Sequence, residues 1–192
     1  MSRWEPNTVE RLQDAAMTLF HERGYSNVTI ADIAEHAGLT KRTFFNHFPD
    51  KREVLFAGSS ALEERVEGYI LASDREQRAI DVAISALAAA GQTLSRYSEG
   101  ARLRRDVIDS SPELQERSLI KLASLARVIT AGLVARDPEV RGATLVAESA
   151  VTVFGAAYSA WADSPTSDFP EHMDNVLAEL RTAIVAASPA PR

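Results

Sequence analysis

Residues 29–52 read T-I-A-D-I-A-E-H-A-G-L-T-K-R-T-F-F-N-H-F-P-D-K-R. Two short helices joined by a tight turn fit this stretch. Thr29 is placed to cap the first: its hydroxyl can accept from the free N–H groups of the opening turn, and Asp32 stands where a capping box needs an acceptor. Ile30, Ile33 and Ala34 then form one apolar stripe at helical spacing. Gly38 falls where a helix-ending residue needs positive φ, which glycine adopts without steric cost. Leu39 returns to the core, Thr40 caps the second helix and Pro49 stops it. Helix, glycine turn, helix is the helix-turn-helix arrangement, whose second helix enters the major groove of DNA.

The faces of that second helix agree with a DNA-reading role. Phe44 and Phe48 share one face, the side expected to be buried. Arg42, Phe45 and Asn46 share another, with Lys41 and Thr43 beside them. Arg and Asn are the side chains that read guanine and adenine bidentately, and Lys and Thr suit phosphates or base edges. Asp50 and Glu53 repeat the capping-box spacing, and Lys51 and Arg52 open the next helix. The competing reading is an ordinary helical hairpin inside a bundle. The cluster Lys41, Arg42, Lys51 and Arg52, opposed only by Asp50, weighs against it.

The run from Thr29 to Leu55 resembles the DNA-binding signature of the TetR family of transcriptional regulators. The resemblance covers about the first fifty residues; beyond them it extends to length and helical texture only. It implies an N-terminal three-helix reader, a C-terminal helical bundle that binds an effector, and dimerisation through the last two long helices. His47 aligns with a phosphate-contacting position, although a helix C-terminus also favours a histidine through the dipole. Two positions depart from the common pattern. Phe45 stands where many members carry Tyr, so a phosphate-contacting hydroxyl is missing, and Arg42 stands where many carry Gly. Arg42 and Lys41 are the expected base contacts. Thr29, Thr40, Thr43, His47 and Lys51 are the expected phosphate contacts, and Phe45 and Asn46 mixed ones.

Composition narrows the alternatives. The 192 residues carry a net charge of −6, so DNA affinity has to come from a local basic patch. There is no cysteine, hence no disulfide, thiolate metal site or cysteine nucleophile, as suits a cytoplasmic protein. The N-terminus lacks an apolar signal segment, and no stretch reads as a membrane span. His21, His36, His47 and His172 show no metal-binding spacing, and no phosphate-binding or nucleophile-elbow motif occurs. No catalytic residue, metal or cofactor is therefore expected. The run Arg102, Arg104 and Arg105 reads as a solvated helix face or an anion site.

Taken in order, the chain is all-α. Residues 1–6 read as an arm, and Val9, Leu12, Ala16, Leu19 and Phe20 as an amphipathic helix that Gly24 ends. A long helix is expected from Lys51 to about Ser73, joining reader to bundle without a flexible linker. Asp74 should cap a helix reaching Tyr97, Gly100 should break the chain, and a short basic helix should follow. Ser111-Pro112-Glu113 and Asp137-Pro138-Glu139 both carry helix-start signals. The helix after the second signal is apolar almost all round, and so needs cover on more than one side. S-P-T-S-D-F-P reads as a loop before the last helix, and S-P-A-P-R as a loose tail.

These readings place a helix-turn-helix domain at 1–50 and an effector-binding and dimerisation domain at 51–192. Tyr69, Leu87, Leu122, Ala126, Phe154 and Tyr158 are candidate effector contacts. The expected partners are double-stranded operator DNA, a small-molecule effector and a second copy of the chain. The expected function is a ligand-responsive, sequence-specific DNA-binding regulator, a repressor released by a small apolar effector. The alternative is a helical enzyme or partner-binding protein whose hairpin only resembles a DNA reader.

Overall fold

A computed structural model of the protein describes residues 8–92, 98–164 and 168–186. The N-terminal arm, Tyr97 and the S-P-A-P-R tail lie outside these residues. The described chain is all-α, as expected. Its helices are α1 (Thr8–Arg23), α2 (Ile30–His36), α3 (Lys41–His47), α4 (Ser59–Ala72), α5 (Ala79–Gly91), α6 (Ser98–Asp109), α7 (Pro112–Arg136), α8 (Ala143–Asp163) and α9 (Phe169–Ala186). They form two compact units. One contains the chain up to Ser60 together with Leu103–Ile120; the other contains Ala61–Arg102 and the chain from Lys121 onward.

The first unit is built on the apolar stripe of α1. Leu12, Ala16, Leu19 and Phe20 bury against Ile33 of α2 and Phe44 of α3. Val54, Leu55 and Phe56, in a short 3-10 turn at Glu53–Phe56, close the same core together with Val107, Ile108 and Leu114. The continuous helix expected from Lys51 to Ser73 is therefore interrupted. Gly58 takes a φ of 87°, which few other residues tolerate, and α4 starts one residue later. Burying three consecutive residues, Val54 to Phe56, is something a straight amphipathic helix does not do.

The second unit packs α8 against α5 and α9. Its core includes Leu87, Ile129, Leu133, Phe154, Trp161, Phe169 and Met173. The Phe169 ring sits edge-on to Phe154 and Trp161, with centroids 5.5 and 5.8 Å away. It also lies directly against the backbone of Gly91, so a Cβ there would fall 2.3 Å from a ring carbon. Arg136 ends α7 with its side chain inside the unit, only 5% exposed. Its Nη1 and Nη2 donate to the carbonyls of Asp74 and Gln77 at 3.0 and 3.1 Å.

Three helix starts differ from expectation. Asp74 caps a turn, accepting from the Glu76 N–H at 3.0 Å, and α5 begins only at Ala79. Arg136 holds the intervening loop by its carbonyls, which diverts residues 74–78 from the helix. Asp137 likewise caps a turn through the Glu139 N–H, and α8 begins after Gly142, which is left-handed at φ 67°. Gly100 lies within α6 instead of breaking the chain. The signal at Ser111 holds, because α7 does start at Pro112. By length and hydropathy α7 and α8 would each suffice to cross a bilayer. In α8 the small residues Ala143, Ala147, Ala150 and Ala157 are buried, which suits its close packing against α5 and α9.

Candidate nucleic-acid interface

The reader is held by its caps. Thr29 Oγ1 accepts the Asp32 N–H at 3.2 Å and donates to Asp32 Oδ2 at 2.6 Å, while the Thr29 N–H donates to the same carboxylate at 2.7 Å. That hydrogen-bonding by Thr29 holds the Asp32 carboxyl below its usual range. The capping box expected from the sequence is thus complete, and it occupies the Thr29 hydroxyl. The turn after α2 is a Schellman closure. Gly38, at φ 65°, donates to Glu35 O, and Leu39 donates to Ala34 O at 2.8 Å. A guanidinium nitrogen of Arg11 on α1 donates to Ala37 O, tying the end of α2 to the floor. Thr40 caps α3 by accepting from the Thr43 N–H, and the two hydroxyls lie 2.9 Å apart.

With its ends fixed, α3 buries Phe44 and the following residue Phe48, and presents Lys41, Arg42, Phe45, Asn46 and His47 to solvent. Thr43 is half-buried. One amphipathic helix thereby sorts core from contact face, as the spacing predicts. Seven short-range candidates, Thr40 to Asn46 with His47 and without Phe44, therefore lie on or beside a single helix.

Lys51 behaves differently. Its Nζ donates to Tyr25 O at 2.7 Å and Val28 O at 2.9 Å, and lies 3.9 Å from the centre of the Tyr25 ring. Burial lowers its pKa. Two of its three N–H donors thus hold the turn between α1 and α2, a role the spacing alone did not reveal.

Further supports come from residues far away in sequence. The Tyr25 hydroxyl donates to Glu113 Oε1 at 3.1 Å, and Arg52 Nε lies 3.6 Å from the same carboxylate. Burial, reinforced by Glu113, pushes the Tyr25 hydroxyl's pKa up. Arg117 Nε donates to Glu53 Oε1. Arg104 Nε donates to Leu55 O at 2.9 Å, and its guanidinium lies 5.4 Å from the Phe56 ring. Half-buried Arg104 thus grips the 3-10 turn that follows the reader through its Nε. Asp50 accepts from the N–H groups of Arg52 and Glu53 and pairs with the Arg52 side chain, which holds its carboxyl below the usual range. The Asp50 bond to Glu53 keeps the capping spacing expected of it, whereas sequence reasoning missed the ties to Arg104, Glu113 and Arg117 because partners separated by up to 88 positions leave no local pattern.

Of the six candidate effector contacts, all but Tyr69 belong to the core cluster of the second unit. Leu122 and Ala126 line a groove of about 550 Å³ between α7 and α8, together with Arg127, Thr130, Glu148 and Thr152. Leu87 and Phe154 are buried in the core, Tyr158 packs 5.9 Å from Trp161, and Tyr69 borders a separate polar crevice with Arg78 and Asp81. Among the described residues no group of His, Asp or Glu is arranged to hold a metal ion.

Comparison with known proteins places this geometry. A profile of bacterial regulatory proteins of the tetR family matches residues 12–57, and a profile of the MftR C-terminal domain matches residues 77–185. A Mycobacterium tuberculosis protein assigned as the mycofactocin biosynthesis transcriptional regulator MftR is 28% identical over 162 residues, covering 84% of this chain and 81% of that one. The transcriptional regulator TtgR of Pseudomonas putida is 36% identical over 69 residues, 36% of this chain and 33% of that one. Among solved structures, a SmeT–triclosan complex superposes with a TM-score of 0.60 at 19% identity, over 89% of this chain and 90% of the other. FadR of Thermus thermophilus in complex with lauroyl-CoA gives 0.52 at 22% identity, over 96% and 99%.

Proposed function

Because the chain belongs to the TetR family of bacterial regulatory proteins, we propose that it represses genes by binding a two-fold operator through α3 and leaves the DNA when a small apolar effector binds. The observation that carries this reading is the exposed face Arg42, Phe45 and Asn46 on a helix capped at its start and buried at its back. Arg42 and Lys41 take base edges, while Thr40, Thr43 and His47 take phosphates. Its relatives are transcriptional regulators rather than enzymes, and a regulator of this kind acts in the cytoplasm.

We assign DNA reading to residues 1–50, and effector response and dimerisation to residues 51–192, of which Leu103–Ile120 help pack the reading unit. The effector site belongs in the bundle, where the groove beside Leu122 and Ala126 offers apolar walls with a few polar groups. Structural neighbours hold triclosan, a small apolar molecule, and lauroyl-CoA, whose acyl chain is apolar although its CoA group is large and anionic. Release follows from a population shift: an effector that fits the conformer with misplaced readers weakens DNA binding by its differential affinity, typically about 1–3 kcal/mol.

Dimerisation through α8 and α9 is supported by what these helices leave uncovered. From Ala178 to Val185 every residue of α9 is exposed, with Ile184 at 66% and Val185 at 72%; Leu145 on α8 is 70% exposed. A second copy related by a two-fold axis would cover both faces in a four-helix bundle. The test is selection of binding sites from random-sequence duplexes by the whole protein. An inverted repeat with half-site centres about 34–36 Å apart is expected. Selection of no common sequence would sink the DNA-reading assignment, and a monomer by light scattering at micromolar concentration would sink the dimer.

A further inference from the structure

Among the described residues of α1, α2 and α3, Phe45 is the large apolar side chain left in solvent, 55% exposed. Every other Phe of these helices is inside the core. Its direction is set from behind, because its ring meets the buried Phe44 ring edge-on at 84° with centroids 5.8 Å apart. It shares the outward face with Arg42, one turn earlier, and with Asn46. A phenyl ring has neither donor nor acceptor, so it cannot bond a phosphate oxygen or a base edge. The apolar group that base pairs offer in the major groove is a C5-methyl, carried by thymine and absent from unmodified cytosine.

We propose that Phe45 reads the C5-methyl group of a thymine in each half-site. The inference rests on α3 being the DNA reader and adds which base its aromatic side chain selects. Packing the ring on the methyl removes both from water, and neighbouring Arg42 and Asn46 set the register in which the methyl is met. A cytosine at that position would leave the ring facing a bare C5–H, and 5-methylcytosine would supply the same methyl from a second source.

The experiment uses the full-length protein and a duplex selected by it from a random-sequence pool. Each thymine is replaced in turn by deoxyuridine, which deletes only the methyl group. At one position per half-site, wild-type affinity should fall about fourfold, the worth of one buried methyl-sized group. Phe45→Ala should bind the parent duplex more weakly and show no further loss with deoxyuridine; Phe45→Tyr, which keeps the ring, should retain the loss. Circular dichroism should show both variants folded, since the side chain lies outside the core. The proposal is overturned if no deoxyuridine changes wild-type affinity, or if Phe45→Ala responds to deoxyuridine as the wild type does. It is equally overturned if 5-methylcytosine for cytosine strengthens binding while no thymine position matters. Selection of no sequence at all would instead remove the DNA-reading assignment on which the inference stands.

Discussion

Replacing Lys51 with Met removes a charge while keeping an unbranched stem, and the structure predicts a loss of stability with no loss of phosphate contacts. Nζ now makes two charge-assisted bonds, to Tyr25 O at 2.7 Å and Val28 O at 2.9 Å, and a cation–π contact with Tyr25 at 3.9 Å. Bonds to charged groups are each worth about 1.5–3 kcal/mol, and a partly desolvated cation–π contact about 0.5–2 kcal/mol. Against these stands the cost of drying the ammonium, the same burial that lowers its pKa. Since both carbonyls belong to buried residues, the variant leaves them poorly solvated. A net loss of about 2–3 kcal/mol results, or roughly 5–10 °C in melting temperature for a chain of this size. Thermal melts give the first number. The second comes from DNA affinity against salt: one lost phosphate contact per subunit would flatten the log–log slope by about 0.9 per subunit. The expected outcome is a lowered melting temperature with the slope kept. An unchanged melting temperature with a flattened slope would refute the structural assignment and return Lys51 to the phosphate contacts.

Gly91→Ala places a methyl 2.3 and 2.4 Å from two ring carbons of the fully buried Phe169, so overpacking should cost about 1–3 kcal/mol despite a gain of up to about 1 kcal/mol in helix propensity. Denaturant titration should show this loss, with partial recovery in Gly91→Ala/Phe169→Leu; a single variant as stable as wild type would contradict the close approach. The carboxyls of Asp32 and Asp50 are held below the usual value of 3.8, by Thr29 and Arg52 respectively. Depressed folded-state values mean that their contribution is complete above about pH 5 and disappears as pH falls through them. The stability gap between wild type and Asp32→Asn should therefore close in acid, and a gap independent of pH would rule out the capping carboxylate as its source.

What the sequence determined by itself was local. Thr29, Asp32, Gly38 and Thr40 act within a few residues of themselves, so the caps, the Schellman turn and the sorting of Phe44 from Arg42, Phe45 and Asn46 were legible from spacing. The same local rules misjudged Gly58, Asp74 and Asp137. A glycine inside an apolar period can sit in a helix or break it, and an Asp cap serves a turn as well as a helix. Tertiary contacts chose: burial of Val54, Leu55 and Phe56 ended the expected long helix, and the Arg136 guanidinium claimed the carbonyls of Asp74 and Gln77. Only the fold could show that Lys51 grips Tyr25 and Val28, that Glu113, Arg117 and Arg104 brace the segment behind the reader, or that the effector candidates other than Tyr69 gather in one core cluster. Such choices depend on which distant groups arrive at a carbonyl or a core face, and a one-dimensional period of 3.6 or a motif of four residues carries no information about them.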